Sequence, residues 1–470
     1  MKKKIVSLLL TGVMAVGALA GCGGGQSIAD QQAAADSSTD SAEGGDSADS
    51  TVTMAAADEV DGTEITFWHS MGGVNGQAID ELVKRFNEEN DLGITVVSEY
   101  QGEYDDALNK LRSAQIGNMG ADLVQVYEIG TRFMIDSGWI IPMQEMIDQD
   151  NYDVSQIEPN LAAYYTIDDQ LYSMPFNSST PLMYYNVDMF EKAGITEIPT
   201  SLEGIEAIGD QLLNKGGASE VISLGIYGWF FEQFLGKQGL DYANNGNGRE
   251  EAATAVAFDE NGGAANILNA WKSLSDKGYA PIVGRGGDAG LADFSSGASA
   301  ITLGSTASLK QILQDVNGRF EVGTAYFPSI TDEDQGGVSI GGASLWALNN
   351  NDPKKLRATW EFVKFLISPE SQAYWNAQTG YFPVTVAAQE EQVFKDNIAQ
   401  YPQFQTAIDQ LHDSSPEYVG ALLSVFSEAR DTVESEIESM LNGEVDVDEA
   451  VSNMADTINK SIEEYNLVNG

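Results

Sequence analysis

The sequence predicts an α/β protein built as two lobes with a hinge between them, and three observations predict it. From Thr63 to Val126 the apolar pattern alternates strand, helix, strand, helix, strand, the signature of a parallel sheet with covering helices. Pro175 to Asn186 reads Pro-Phe-Asn-Ser-Ser-Thr-Pro-Leu-Met-Tyr-Tyr-Asn, a polar, proline-stiffened elbow that enters an apolar strand and carries the chain between lobes. An ordinary turn before a core strand also accounts for these residues. The length of 470 residues accommodates two or more domains with substantial cores.

The chain opens on Met1-Lys2-Lys3-Lys4, a basic region followed by a short apolar run from Ile5 to Ala18. That run is shorter than the ~20 residues a spanning helix needs, so residues 1–21 are expected to be a secretion signal. Leu19-Ala20-Gly21-Cys22 resembles the bacterial lipobox, which makes Cys22, the single cysteine, the expected lipidation site. No other thiol remains for a disulfide, a metal site or a nucleophile. From Gly23 to Gly62 there is no Lys, Arg or aromatic residue. Such a segment buries too little apolar surface to offset its ordering entropy, and residues 22–62 are expected to form a flexible acidic tether. Overall, 24 Lys and Arg against 71 Asp and Glu give a net charge of -47. This excludes a general nucleic-acid or anionic-membrane surface, which needs a basic stripe. An anionic ligand would have to find a local basic site against the field of the whole protein.

Thr63 to Trp68 alternates as a first strand, and Ala78, Ile79, Leu82, Val83 and Phe86 then recur at helical spacing. Ile94–Val97 and Leu123–Val126 are the next strands, around a helix from about Tyr104 to Ile116. Ligands bind at the carboxyl ends of strands in such sheets, and those ends are polar here: Trp68-His69-Ser70-Met71 and Tyr127-Glu128-Ile129-Gly130. A lone acid after a strand is more often a helix cap than a ligand residue, and Glu128 taken alone reads that way. After the elbow, helices are expected over Val187–Ala193 and Leu202–Asn214, then the aromatic cluster Gly225 to Phe231, a stacking platform or core packing. Ala300–Leu303 is a short strand ending at Gly304-Ser305-Thr306-Ala307-Ser308, a small-residue turn whose backbone donors suit an anion and whose serines suit an N-cap. Val338–Leu348 is strand-like around Gly341-Gly342, which permits close backbone approach. Helices follow over Pro353–Ile367, Glu370–Gln378, Tyr418–Leu441 and Val447–Tyr465. Arg430 is the one basic residue between Val419 and Asn442, and an i,i+4 ion pair with Glu434 is its simplest account. There is no phosphate-binding P-loop, no nucleotide fingerprint and no zinc spacing between His69 and His412. No cofactor or metal is expected, and paired acids such as Asp105-Asp106 read as solvated surface.

From about Ile65 to Tyr465 the chain resembles the extracellular solute-binding proteins of ABC importers, in their sn-glycerol-3-phosphate-binding branch. The resemblance rests on Phe67-Trp68-His69-Ser70-Met71, Arg85-Phe86-Asn87, Gln125 to Glu128, Pro175 to Pro181, Tyr184-Tyr185-Asn186, Val283-Gly284-Arg285, Gly341 to Trp346 and Thr379-Gly380-Tyr381. It implies a two-lobed periplasmic-binding-protein-like fold of type II, hinge-connected, with the ligand cleft between the lobes. The expected lobes are residues 63–178 with 306–345, and 179–305 with 346–470.

The same resemblance implies a ligand site of Tyr104, Glu128, Ser179, Ser305, Gly342, Tyr381 and Arg430. Arg430 would grip phosphate oxygens, the hydroxyls and the Gly342 N–H would add neutral donors, and Glu128 would accept from glycerol hydroxyls. Trp68 and Trp229 are expected beside the glycerol carbons or a head group. The implied function is a lipid-anchored, monomeric receptor outside the cytoplasmic membrane. It would capture glycerol-3-phosphate or a glycerophosphodiester and dock on an ABC permease. A sugar receptor of the same fold is the alternative, and an exported phosphodiesterase or glycosidase stands behind both.

Overall fold

The computed structural model of the chain describes residues 53–117, 120–415 and 418–469. The signal, Cys22 and most of the tether lie outside these residues. The end of the tether departs from expectation: Met54 and Val60 are buried in a core, and Ala55 donates its N–H to Pro353 O. These two apolar side chains give residues 53–62 enough contact to dock.

Strands β1 (Glu64–His69), β2 (Thr95–Tyr100), β3 (Leu123–Tyr127), β4 (Ile140–Ile141) and β5 (Met174–Ser179) belong to one sheet. Strands β6 (Pro181–Asn186), β7 (Glu220–Ile226), β8 (Ile282–Arg285), β9 (Ser299–Ser305) and β10 (Val322–Tyr326) belong to another, and β11 (Gly341–Leu348) returns to the first. The first sheet runs β2-β1-β3-β11-β4, with β5 also on β11. Its β1, β2 and β3 are parallel, and β11 is antiparallel to its neighbours. The second runs β8-β7-β9-β6-β10. Helices used below are α1 (Gly73–Glu89), α2 (Tyr104–Ile116), α3 (Gly228–Gln238), α4 (Leu309–Val316), α5 (Pro353–Leu366), α6 (Pro369–Thr379), α7 (Gln403–Asp413), α8 (Phe426–Leu441) and α9 (Val447–Asn469).

Local sequence explains the layers. α1 buries Ala78, Ile79, Leu82, Val83 and Phe86, the stripe its periodicity predicts. All five residues of β3 are buried, as a strand covered on both faces must be. Ile65, Phe67, Phe86, Phe176, Trp360, Phe362 and Trp375 share the first lobe's core. Ile222, Leu224, Phe230, Phe234, Trp271 and Ile301 share a second, which α8 and α9 close with Val433, Ile437, Met454 and Ile458.

The elbow is the crossover: β5 ends at Ser179, β6 begins at Pro181, and Thr180 alone separates the two sheets. The N–H of Thr306 donates to Thr180 O, and that of Phe382 to Ser178 O, so two further segments brace the hinge. The expected lobe limits need correction. Residues 309–326 belong to the second lobe, because β10 pairs β6 and α4 packs on Leu182 and Tyr184. α5 and α6 belong to the first, through Trp360, Phe362 and Trp375. α7 contributes to both cores. The helix expected from Tyr418 begins only at Phe426.

Candidate functional site

A cleft of about 630 Å³ opens where the two sheets face each other. It is lined from the first lobe by the residues after β1 (Ser70 to Asn75), by Tyr104 and Glu128, and by Ser179, Gly342, Thr379 and Tyr381. From the second it is lined by Tyr227, Trp229, Asp288, Ser305, Ser308, Lys310 and Arg430. Eight of the nine residues expected at the ligand come together here: Tyr104, Glu128, Ser179, Trp229, Ser305, Gly342, Tyr381 and Arg430. Trp68 does not line the cleft. It is the register partner of Glu99 on β2, on the same sheet face, and its indole N–H donates to Glu99 at 2.9 Å, so the alternation of β1 takes it out of the site.

The floor holds a buried ion cluster that joins the lobes. Arg430, on α8, donates from Nη2 to Glu128 Oε1 at 2.5 Å. It also grips Glu232 in bidentate form, from Nε at 2.6 Å and from Nη2 at 2.9 Å. Its Nη1 makes no hydrogen bond among the described residues. Burial alone would lower the Arg430 pKa, but the Glu232 and Glu128 charges hold the guanidinium firmly protonated. Burial raises both carboxyls above their ordinary range in spite of Arg430. The expected Arg430–Glu434 pair is absent: Glu434 Oε1 instead accepts the N–H of Gly228, first residue of α3, at 2.9 Å.

Glycines allow this packing. A Cβ on Gly228 would stand 2.8 Å from Arg430 Cγ, and one on Gly341 would stand 2.5 Å from the Trp229 ring. Gly342 has φ +86° and its added Cβ would meet Asn177 O at 2.0 Å, so its backbone lies against β5 as only glycine permits.

Beneath the cleft a polar chain orients the tyrosines. Ser70 N–H donates to Gln125 Oε1 (2.8 Å), Gln125 Nε2 to Asn177 Oδ1 (2.7 Å), and Asn177 Nδ2 to Tyr104 OH (2.9 Å). Tyr104 stacks on Tyr127, and Tyr381 on Trp375. Burial raises the pKa of Tyr104 and of Tyr381, which therefore present neutral hydroxyls. Ser305 caps the turn before α4, its Oγ accepting from Ala307 N–H, as well as lining the cleft. Ser70 Oγ and Trp229 Nε1 are buried without a hydrogen-bond partner among the described residues. His69 is buried and its pKa falls to about 4, because desolvation outweighs the charge of Asp80.

Sequence reading passed over Glu232, Gln125 and Asn177 as site-building residues. The signal for Glu232 was present: it is the lone charge in Gly-Trp-Phe-Phe-Glu-Gln-Phe-Leu, a run too apolar for a solvated acid.

Comparison with known proteins agrees with this architecture. Residues 81–406 match the family described as bacterial extracellular solute-binding protein. The chain is 33% identical over 416 residues to the sn-glycerol-3-phosphate-binding periplasmic protein UgpB of Salmonella typhimurium, covering 86% of this chain and 93% of that one. It is 31% identical over 417 residues to UgpB of Escherichia coli K12. Among solved structures it is similar to UgpB of Mycobacterium tuberculosis in complex with glycerophosphocholine, with TM-score 0.72, 25% identity and coverage of 86% and 99%. The GacH receptor of Streptomyces glaucescens, TM-score 0.70 at 21% identity, shares the fold.

Proposed function

The chain belongs to the bacterial extracellular solute-binding protein family and is a solute receptor of ABC import rather than an enzyme, and we propose that its solute is sn-glycerol-3-phosphate or a glycerophosphodiester. One observation carries this reading: a permanently charged guanidinium, Arg430, stands where the lobes meet, in one cleft with the neutral donors of Tyr104, Tyr381, Ser179 and Ser305. Its Nη1 edge and those hydroxyls suit phosphate oxygens. Glu128 suits the glycerol hydroxyls, for which a carboxylate is a strong acceptor. The cleft volume leaves room for a head group beyond glycerol phosphate, and Trp229, whose indole N–H has no partner among the described residues, is the wall for it.

The lobes close on the solute by bending at Thr180 and the segments that brace it. Cys22 carries a lipid that holds the receptor outside the membrane, and the tether lets a monomer reach its permease.

Thermal unfolding tests the reading, with glycerol-3-phosphate, glycerophosphocholine, inorganic phosphate and maltose in parallel. A ligand at 100 times its Kd stabilises the native state by about 2.7 kcal/mol. The expected result is a rise in Tm with a glycerophosphate compound that is lost in Arg430→Ala. A shift with maltose alone, or an unchanged phosphate response in the variant, overturns it.

A further inference from the structure

We propose that Glu232 is a positioning and specificity-determining residue, which turns the single cleft guanidinium into a site for a phosphate bearing one negative charge. The inference rests on the glycerophosphate reading above.

Glu232 lies one turn into α3 and takes the Nε and Nη2 donors of Arg430 with its two carboxylate oxygens. Bidentate pairing fixes the plane of a guanidinium as well as its position. A second contact between the same two helices works in the opposite direction: Glu434 of α8 accepts the N–H of Gly228, and the bare Gly228 Cα lets α8 approach. α3 and α8 therefore hold each other at both ends of one turn. Arg430 cannot rotate toward a ligand without breaking the Glu232 pair, so the ligand meets a fixed Nη1 edge.

Charge then sets the preference. Arg430 contributes one positive charge, and Glu128 and Glu232 one negative charge each. Glu434 faces the same cluster, beside the neutral phenols of Tyr164, Tyr227 and Tyr242. Among the described residues the other cation lining the cleft is Lys310 on α4, whose ammonium sits over the Tyr401 ring and shares its rim with Asp288. Arg430, Glu128 and Glu232 together carry one net negative charge, so a dianionic phosphate monoester entering this cluster meets about twice the repulsion that a monoanion meets. A diester carries one charge, and a diester with a cationic head group carries no net charge. The second carboxylate is what penalises the monoester, since Glu128 is already accounted for as the acceptor for glycerol hydroxyls.

The test is calorimetric titration of the full chain with glycerol-3-phosphate and glycerophosphocholine at pH 8, where the monoester is a dianion. Glu232→Gln keeps the shape and removes the charge. It is expected to shift the affinity ratio toward glycerol-3-phosphate by on the order of tenfold, while Glu232→Asp keeps the wild-type ratio. In the wild type the same ratio is expected to move toward glycerol-3-phosphate as pH falls from 8 to 5.5 and the dianionic monoester takes up one proton to become a monoanion. An unchanged ratio in Glu232→Gln, or equal weakening of both ligands, overturns the inference while leaving the ligand class standing. A wild-type ratio that moves away from glycerol-3-phosphate at low pH also overturns it. Failure of the wild type to bind either compound overturns the ligand reading and this inference together.

Discussion

Arg430 sits in a helix with acids on successive turns, yet its partners come from elsewhere in the chain: Glu128 of the other lobe and Glu232 of α3. Removing it leaves two buried carboxylates facing each other. Breaking a buried pair in this way costs about 3–5 kcal/mol, so Arg430→Ala should lower stability at pH 8 by an amount of that order. The loss should shrink on acidification. Burial raises Glu128 and Glu232 above the ordinary carboxylate value, so over that window the folded state binds more protons than the unfolded one. Their contribution to stability is then full below the unfolded value and is lost as pH rises through the raised folded values. Without the guanidinium those values rise further. Urea unfolding of the variant and the wild type from pH 8 to pH 5 measures this, and a gap that widens toward pH 5 would contradict it. Gly228→Ala acts on the same side chain from the opposite direction. Its methyl meets Arg430 Cγ at 2.8 Å, so the variant should remain folded and weaken solute binding by displacing the guanidinium. Binding at wild-type affinity would show that α8 yields there without effect.

At the scale of elements, α3 starts under the carboxylate of Glu434 from a different helix. An acid that caps a helix start in this way is worth about 0.5–2 kcal/mol, so Glu434→Ala should lower stability by about that much and should loosen α3. Hydrogen exchange of the Gly228 to Phe231 amides reads the loosening directly, and unchanged protection there would refute the cap. Elements with a clean period were legible in the sequence. α1 shows its five buried residues at helical spacing, and α2 and the helix Val187–Ala193 have the expected limits. Strands β7, β8 and β10 were not legible, since β7 is buried along nearly its whole length and shows no alternation. The lobe limits failed for a different reason. β11 pairs with β3 and β5, and β10 with β6, and such distant pairing leaves no local trace. At the site, motif residues led to eight cleft positions. Trp68 failed because strand alternation decides which way it faces. Glu232 was missed because its partner lies 198 residues away.

The whole molecule sets its net charge of -47 against the proposed capture of a glycerophosphate anion. The charge of the whole chain opposes an approaching anion, and Arg430, the cation between the lobes, is buried among carboxylates. Association should therefore be slow for glycerol-3-phosphate at low ionic strength. Screening shortens the reach of that field from about 30 Å at 0.01 M salt to about 8 Å at 0.15 M. Added salt should thus raise the association rate of the dianion, the reverse of the usual steering of a ligand to an oppositely charged site. Glycerophosphocholine, with no net charge, should associate at a rate nearly independent of salt. Trp229 lines the cleft and gives a fluorescence signal for stopped-flow mixing, with Trp229→Phe as the control for its origin. Comparison of the two solutes between 0.01 and 0.3 M salt separates repulsion at long range from contacts inside the cleft, because the paired Glu128, Glu232 and Arg430 are buried and screened far less. A dianion rate that falls with salt would mean that the lobes present a local positive face to the entering solute strong enough to outweigh the whole-molecule charge, with Lys310 on the rim as its source.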